Sequence, residues 1–368
     1  MIASLFWTEL PSDRAVSLLV KWISLASMIG IIWLEFALFA DISGLILGAP
    51  GITRAAMMAV AVFAVVYFTL RYGLRGFVFA DLLHAPLLIL SSTVLLAGCV
   101  SLYFWGHPVH ELTWAHIAPT LPIDQLALFG GHVLVLNVFL ILVSEAHWLR
   151  LWMFQDLELR LQKRAMGATA LLWAVLACIG AFSYLLTGLT GDEAAVGMIK
   201  VLSDSWILFA AVFWIGGIGA LFSTADAQIY AFLLVRSFRS RDGKLAPKTF
   251  SGQQPFLASV IAAVLLPAIY FFVRTAGWQI EKVIFAIVPL PLNLLPPLVM
   301  LAFGRRQRVV YPAASVVGYI ALSVWGLLSP PQQFTATLSA ALVPVAVSIA
   351  ALLVSAREGS AAAPGEPK

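Results

Sequence analysis

Two hydroxyls and a carboxylate lie within a strongly apolar stretch, Gly219-Ala220-Leu221-Phe222-Ser223-Thr224-Ala225-Asp226-Ala227-Gln228. It falls inside a long helix-length run at 202–236. Polar groups are costly in hydrocarbon, so they normally face a protein interior, a cavity or an ion path. Ala220, Ser223 and Thr224 are spaced i, i+3, i+4, which puts them on one helix face. One backbone carbonyl and two hydroxyl oxygens on that face could form part of the oxygen cage of a hard cation. The alternative is helix packing, in which small residues allow close approach and Ser or Thr bonds back to the i−4 carbonyl.

The elements that must position this seam follow from composition. Apolar residues make up 61% of the 368-residue chain and charged residues 11%, against about 25% charge in a soluble domain. Runs long enough to cross a bilayer recur from end to end. The sequence therefore predicts an all-α, polytopic membrane bundle. Ten helices are expected, at 15–47, 52–71, 77–103, 124–147, 165–188, 202–236, 256–276, 280–304, 308–328 and 332–355. Residues 1–355 form the transmembrane bundle on this reading, and 356–368, rich in Ala, Gly, Pro and Glu, a disordered cytoplasmic tail. The strict alternation that would mark a β-barrel is missing. Met1 to Leu10 carries no basic segment of the kind that opens a cleaved signal peptide.

Charge distribution sets the expected orientation. Arg71 and Arg75, then Arg150, Arg160, Lys163 and Arg164, then Arg236, Arg239, Arg241, Lys244 and Lys248 fall in even-numbered loops. Arg305, Arg306 and Arg308 follow the eighth helix and Arg357 the tenth. Odd-numbered loops hold Arg54, Lys200, Arg274 and Lys282. The positive-inside rule then places both termini in the cytoplasm of a bacterial-type inner or plasma membrane. Basic loops facing inward need no nucleic-acid partner to explain them; the bilayer itself is the expected surroundings.

Few ionisable residues lie within the spans. Glu35 is well inside the first and Asp41 nearer its outer end; Asp81 and His84 open the third, Glu145 and His147 close the fourth, and Asp226 is in the sixth. An ionisable group at membrane depth is a functional candidate by default, while Asp81, Glu145 and His147 are also near enough to the boundary to be hydrated or paired with Arg75 or Arg150. Asn137 and Asn293 are deep amides that need partners. Asn293 sits among Pro289, Pro291, Pro296 and Pro297, a run that should break its helix and expose carbonyls. His107, His110, Glu111 and His116 share the outer loop at 104–123, but Pro108, Pro119 and Pro122 interrupt any helix that would align them on a metal. Cys99 and Cys178 lack metal or redox spacing and read as reduced packing residues. No protease, haem-ligand or acyltransferase constellation stands out, so an enzyme is not expected.

Three segments resemble the sodium/solute symporter family, which has a LeuT-type inverted-repeat fold. Tyr72-Gly73-Leu74-Arg75-Gly76-Phe77-Val78-Phe79-Ala80-Asp81-Leu82-Leu83-His84 is similar to that family's Gly-Gly-Leu-x-Ala-Val-x-x-Thr-Asp-x-x-Gln signature. Asn137 through Arg150 is similar to the helix that starts with a substrate-facing Asn and ends in Gln-Arg. Ala220 through Ala227 is similar to the Ala-x-x-Ser-[Ser/Thr] sodium-site helix. Tyr72, Ala80, His84 and Leu149 depart from the pattern, as do Phe139, Leu140 and Ile141 at the aromatic gate positions.

The resemblance begins near residue 13 and aligns the first helix here with the third core helix of the family. It implies a member without the first three helices, the first core helix among them, whose unwound carbonyls complete the sodium cage. The implied activity is secondary active, cation-coupled uptake of a small organic solute, by a transporter or a transporter subunit. Ala220, Ser223, Thr224 and Asp81 are then the cation-binding candidates, with sodium as coupling ion; Glu35 and Asp226 keep a proton open as the alternative. Glu35, Asn137 and Asn293 are the substrate-cavity candidates. A second subunit would supply the remaining helices, and the chain alone is expected not to drive uptake. The alternatives are a non-transporting membrane sensor or scaffold of symporter-like build, and a truncated gene product.

Overall fold

The computed structural model describes residues 14–105, 134–144, 159–188, 207–237, 252–278, 280–305, 307–329 and 333–361, with isolated positions at 127, 130, 131, 197, 198, 200, 201 and 204. Every regular element among them is helical. In chain order the long elements are α1 (Arg14–Ile46), α2 (Gly51–Phe104), α3 (Leu159–Thr187), α4 (Ile207–Ser237), α5 (Gln254–Thr275), α6 (Ile280–Ile287), α7 (Leu295–Ala302), α8 (Val310–Leu328) and α9 (Gln333–Ala361). A π-helical turn, Leu136–Leu140, runs into Ile141–Val143. Among the described residues eight stretches are long and apolar enough to cross a membrane, and they correspond to eight of the ten expected. The stretch expected at 202–236 is the 31-residue α4, and the one at 124–147 is described only in part. The chain is a multi-pass helical membrane bundle.

α2 joins two of the expected spans. Its limbs, Gly51–Gly73 and Pro86–Phe104 as spans, meet at a corner on Gly73, whose φ of 55° and ψ of −134° lie where a Cβ would be strained. Both limbs pack on α4. Gly216 faces Ser91, Gly219 faces Leu87, and Asp226 reaches Thr69, so α4 numbers rise as α2 numbers fall. A Cβ on Gly216 would collide with the Ser91 side chain, so glycine permits this close crossing. Along α1 the contacts with α4 also run in opposite senses: the Trp214 indole donates to Ser43 Oγ at 2.9 Å, and Phe222 packs on Phe39 and Phe36.

The main core joins Trp33, Phe36 and Phe39 of α1, Met58, Val62 and Val66 of α2, Ile229 and Tyr230 of α4, Leu266 and Tyr270 of α5, and Val283 of α6. A second core sets Val16, Val20 and Ile23 against Leu292, Leu295, Leu298 and Ala341. The opposite face of α5 exposes Leu257, Ile261, Val264, Leu265 and Phe272, an apolar stripe suited to lipid rather than water.

The proline run breaks its helix as expected. Leu290–Leu294 is a 3-10 turn between α6 and α7, and α8 repairs the break. Tyr319 OH donates to the Ala286 carbonyl. Asn293 Nδ2 donates to Leu290 O at 2.9 Å, and Ser315 Oγ donates to Asn293 Oδ1 at 2.7 Å.

One expectation needs correction. Helix α9 continues to Ala361, past the boundary at 356 where a disordered tail was expected to begin. Ala356, Arg357 and Glu358 are all good helix formers, so the last turn extends without a stop signal until Gly359 weakens it.

Candidate functional site

The polar seam of α4 lies at the junction of α1 with both limbs of α2. Asp226 is 3% exposed, and Thr69 Oγ1 donates to its Oδ1 at 2.8 Å. Ala225 and Ala227 flank it in full burial, and Gln228 and Tyr230 are buried one turn on. Ser223 is three residues before Asp226 and so neighbours it on the helix surface. Ser223 and Thr224 are both half-buried, and both make interactions within the protein. The second carboxylate oxygen of Asp226, the Thr69 hydroxyl and the Ser223 hydroxyl are the type of hard oxygen donor that binds a hard cation. Among the described residues no three His, Cys, Asp or Glu side chains cluster as a metal site.

The other sequence candidates fall in different places. The side chains of Ala220, Asp81 and Asn137 lie outside the described residues, as do Glu145, His147 and the histidine loop at 106–123. Glu35 is half-buried on α1 between the buried Leu34 and Phe36, and the described residues give it no hydrogen bond or ion pair. Asn293 is wholly buried, 0% exposed, and both ends of its amide serve the break between α6 and α7. Cys99 is buried and Cys178 exposed, and both are free thiols.

The sequence did not reveal Thr69 as the partner of Asp226. The two are 157 positions apart. A hydroxyl two residues before Arg71 reads as an ordinary helix end, and the available hint was only that a buried carboxylate needs a donor. It also left Asp41, Arg54, Arg274 and Tyr270 as separate residues, although the fold brings them together.

No family model, curated sequence or solved structure matches the chain. The site therefore stands on its own residues.

Proposed function

We propose that this chain is a secondary active transporter, or a subunit of one, that couples uptake of a small organic solute to a cation, with sodium as the coupling ion and a LeuT-like arrangement of helices. The observation that carries the reading is the α4 seam: a carboxylate at 3% exposure, held by a hydroxyl from another helix, with Ser223 one turn before it, in a bundle built to sit in lipid. Such a group has a desolvation cost that plain packing does not require. A cation would offset that cost, and its arrival would favour one packing of α4 on α2 over another, which is the basis of coupling. Ser223, Thr224 and Asp226 supply cation oxygens on this reading. Asp81 joins them on the inner exit path, and Glu35 and Asn137 line the solute cavity.

A membrane sensor or scaffold is the second reading. It is favoured by Asn293, whose amide is spent on the fold rather than turned to a cavity. Sodium binding separates the two. In detergent, the purified chain should bind radioactive sodium saturably and unfold at a higher temperature in sodium chloride than in choline chloride. Ser223→Ala and Asp226→Asn should each weaken binding by roughly tenfold, the equivalent of one lost charge-assisted contact. An unfolding temperature indifferent to sodium, with no saturable binding, would reject the reading in which this chain holds the cation by itself and would favour the scaffold.

A further inference from the structure

Arg54 and Arg274 are two of the four cations in the odd-numbered loops, and the fold brings them to one point. Arg54 is in the first turn of α2 and Arg274 in the last turn of α5. Arg54 Nη1 is 3.6 Å from Asp41 Oδ1, and Arg274 Nη1 is 3.9 Å from Asp41 Oδ2. Tyr270 OH donates to Asp41 Oδ1 at 2.6 Å. The cluster therefore holds two positive charges and one negative.

These distances matter. A charge-assisted N–H···O bond closes to about 2.7–2.9 Å, so neither arginine is hydrogen-bonded to Asp41. Arg54 Nε donates to Ala49 O at 2.9 Å; among the described residues neither guanidinium makes another hydrogen bond. Asp41 balances one charge without using up the planar donor forks that match oxyanions.

The arginines are also held in place. The Arg54 stem lies across Gly44 of α1, where a Cβ would collide with its Cγ, Cδ and Nε. The cluster caps the ends of three spans, Ala15–Gly44, Gly51–Gly73 and Gln254–Thr275, the depth at which lipid headgroups lie. The side chains of Arg54 and Arg274 are 20% and 39% exposed, so an outside ligand can reach them. An ion pair serving only to neutralise Asp41 would need one arginine, drawn in to bonding distance.

We propose that Arg54 and Arg274 together bind one phosphate-type oxyanion at this end of the bundle, with the Asp41 charge limiting how tightly. The headgroup of an anionic phospholipid and free inorganic phosphate share this chemistry. The site is independent of the transport reading.

The test uses the full chain in detergent micelles, with unfolding followed by tryptophan fluorescence. One arm titrates inorganic phosphate against chloride of equal ionic strength. The other adds phosphatidylglycerol, with phosphatidylcholine as the control. At least one arm should raise the unfolding temperature of the unaltered chain. Arg54→Gln and Arg274→Gln should each weaken the apparent affinity about tenfold, by loss of charge-assisted bonds. Asp41→Asn should strengthen it, because the competing charge is gone. A response to phosphatidylglycerol alone assigns the site to lipid, a response to phosphate alone assigns it to a soluble anion, and a response to both means the phosphate group suffices. The proposal is overturned if neither probe shifts unfolding, if both arginine variants respond like the unaltered chain, or if a folded Asp41→Asn binds more weakly. Should Asp41→Asn fail to fold, Arg274→Gln decides alone.

Discussion

Asp41 and Glu35 occupy the same helix, six positions apart, and the fold treats them in opposite ways. Asp41 lies near the end of α1, accepts a hydrogen bond from Tyr270 and has two arginines within 4.0 Å, so three helices converge on its carboxylate. Glu35 lies in the body of the same span, half-buried, with no hydrogen bond or ion pair from the described residues. A carboxylate with that many partners is part of the architecture, since removing it strands the groups around it. One without partners does nothing for the folded chain that glutamine could not do. If residue 35 requires a carboxyl, the requirement does not come from the described helices around it. Asp226 is intermediate: enclosed at 3% exposure, with the Thr69 hydroxyl, a neutral donor, on its Oδ1.

The comparison can be broken by substitution, with unfolding in detergent as the measure. Asp41→Asn should have the largest effect, a loss of about 2–3 kcal/mol. A hydrogen bond to a charged group is worth about 1.5–3 kcal/mol, and the partly exposed arginines add less because solvent screens them. Thr69→Val should come next, at about 1–2 kcal/mol, because it leaves the enclosed Asp226 without this donor. Glu35→Gln should have the smallest effect, within about 0.5 kcal/mol of the unaltered chain. If Glu35→Gln destabilised as much as Asp41→Asn, Glu35 would have a structural partner and the distinction would collapse. The contrast would sharpen if Glu35→Gln kept its stability and lost a cation or solute response, since fold and function would then separate at one position.

What the sequence revealed and what it hid follow a physical division. Eight spans were legible because each is one continuous apolar run, and hydrocarbon thickness sets the length of such a run without reference to its neighbours. The break at Leu290–Leu294 was legible for the same local reason, since prolines remove donors wherever the helix packs. The corner at Gly73 showed as a gap between spans, though not as one element with two limbs on α4. Thr69 with Asp226, and Asp41 with Arg54, Arg274 and Tyr270, were hidden because each pairing joins different helices. Spacing within one helix reports its own faces, and bundle helices that are apolar nearly all round leave little periodicity to show which face meets which neighbour. The extension of α9 to Ala361 was missed because a composition suited to disorder is, in its first residues, also suited to helix.

The repaired break between α6 and α7 constrains how the chain enters the membrane. Translation delivers Ile280 to Ala302 before the residues that complete it. Until α8 follows, the carbonyl of Ala286 lacks the Tyr319 hydroxyl and the Asn293 amide lacks the Ser315 hydroxyl. Lipid has no water to offer these groups in the interval. The interrupted segment and α8 should therefore leave the insertion machinery as a pair, already docked through Tyr319 and Ser315. In a chain truncated after Gly304, a cysteine introduced at Leu290 should react with a water-soluble thiol reagent, while in one that includes Leu328 it should be protected.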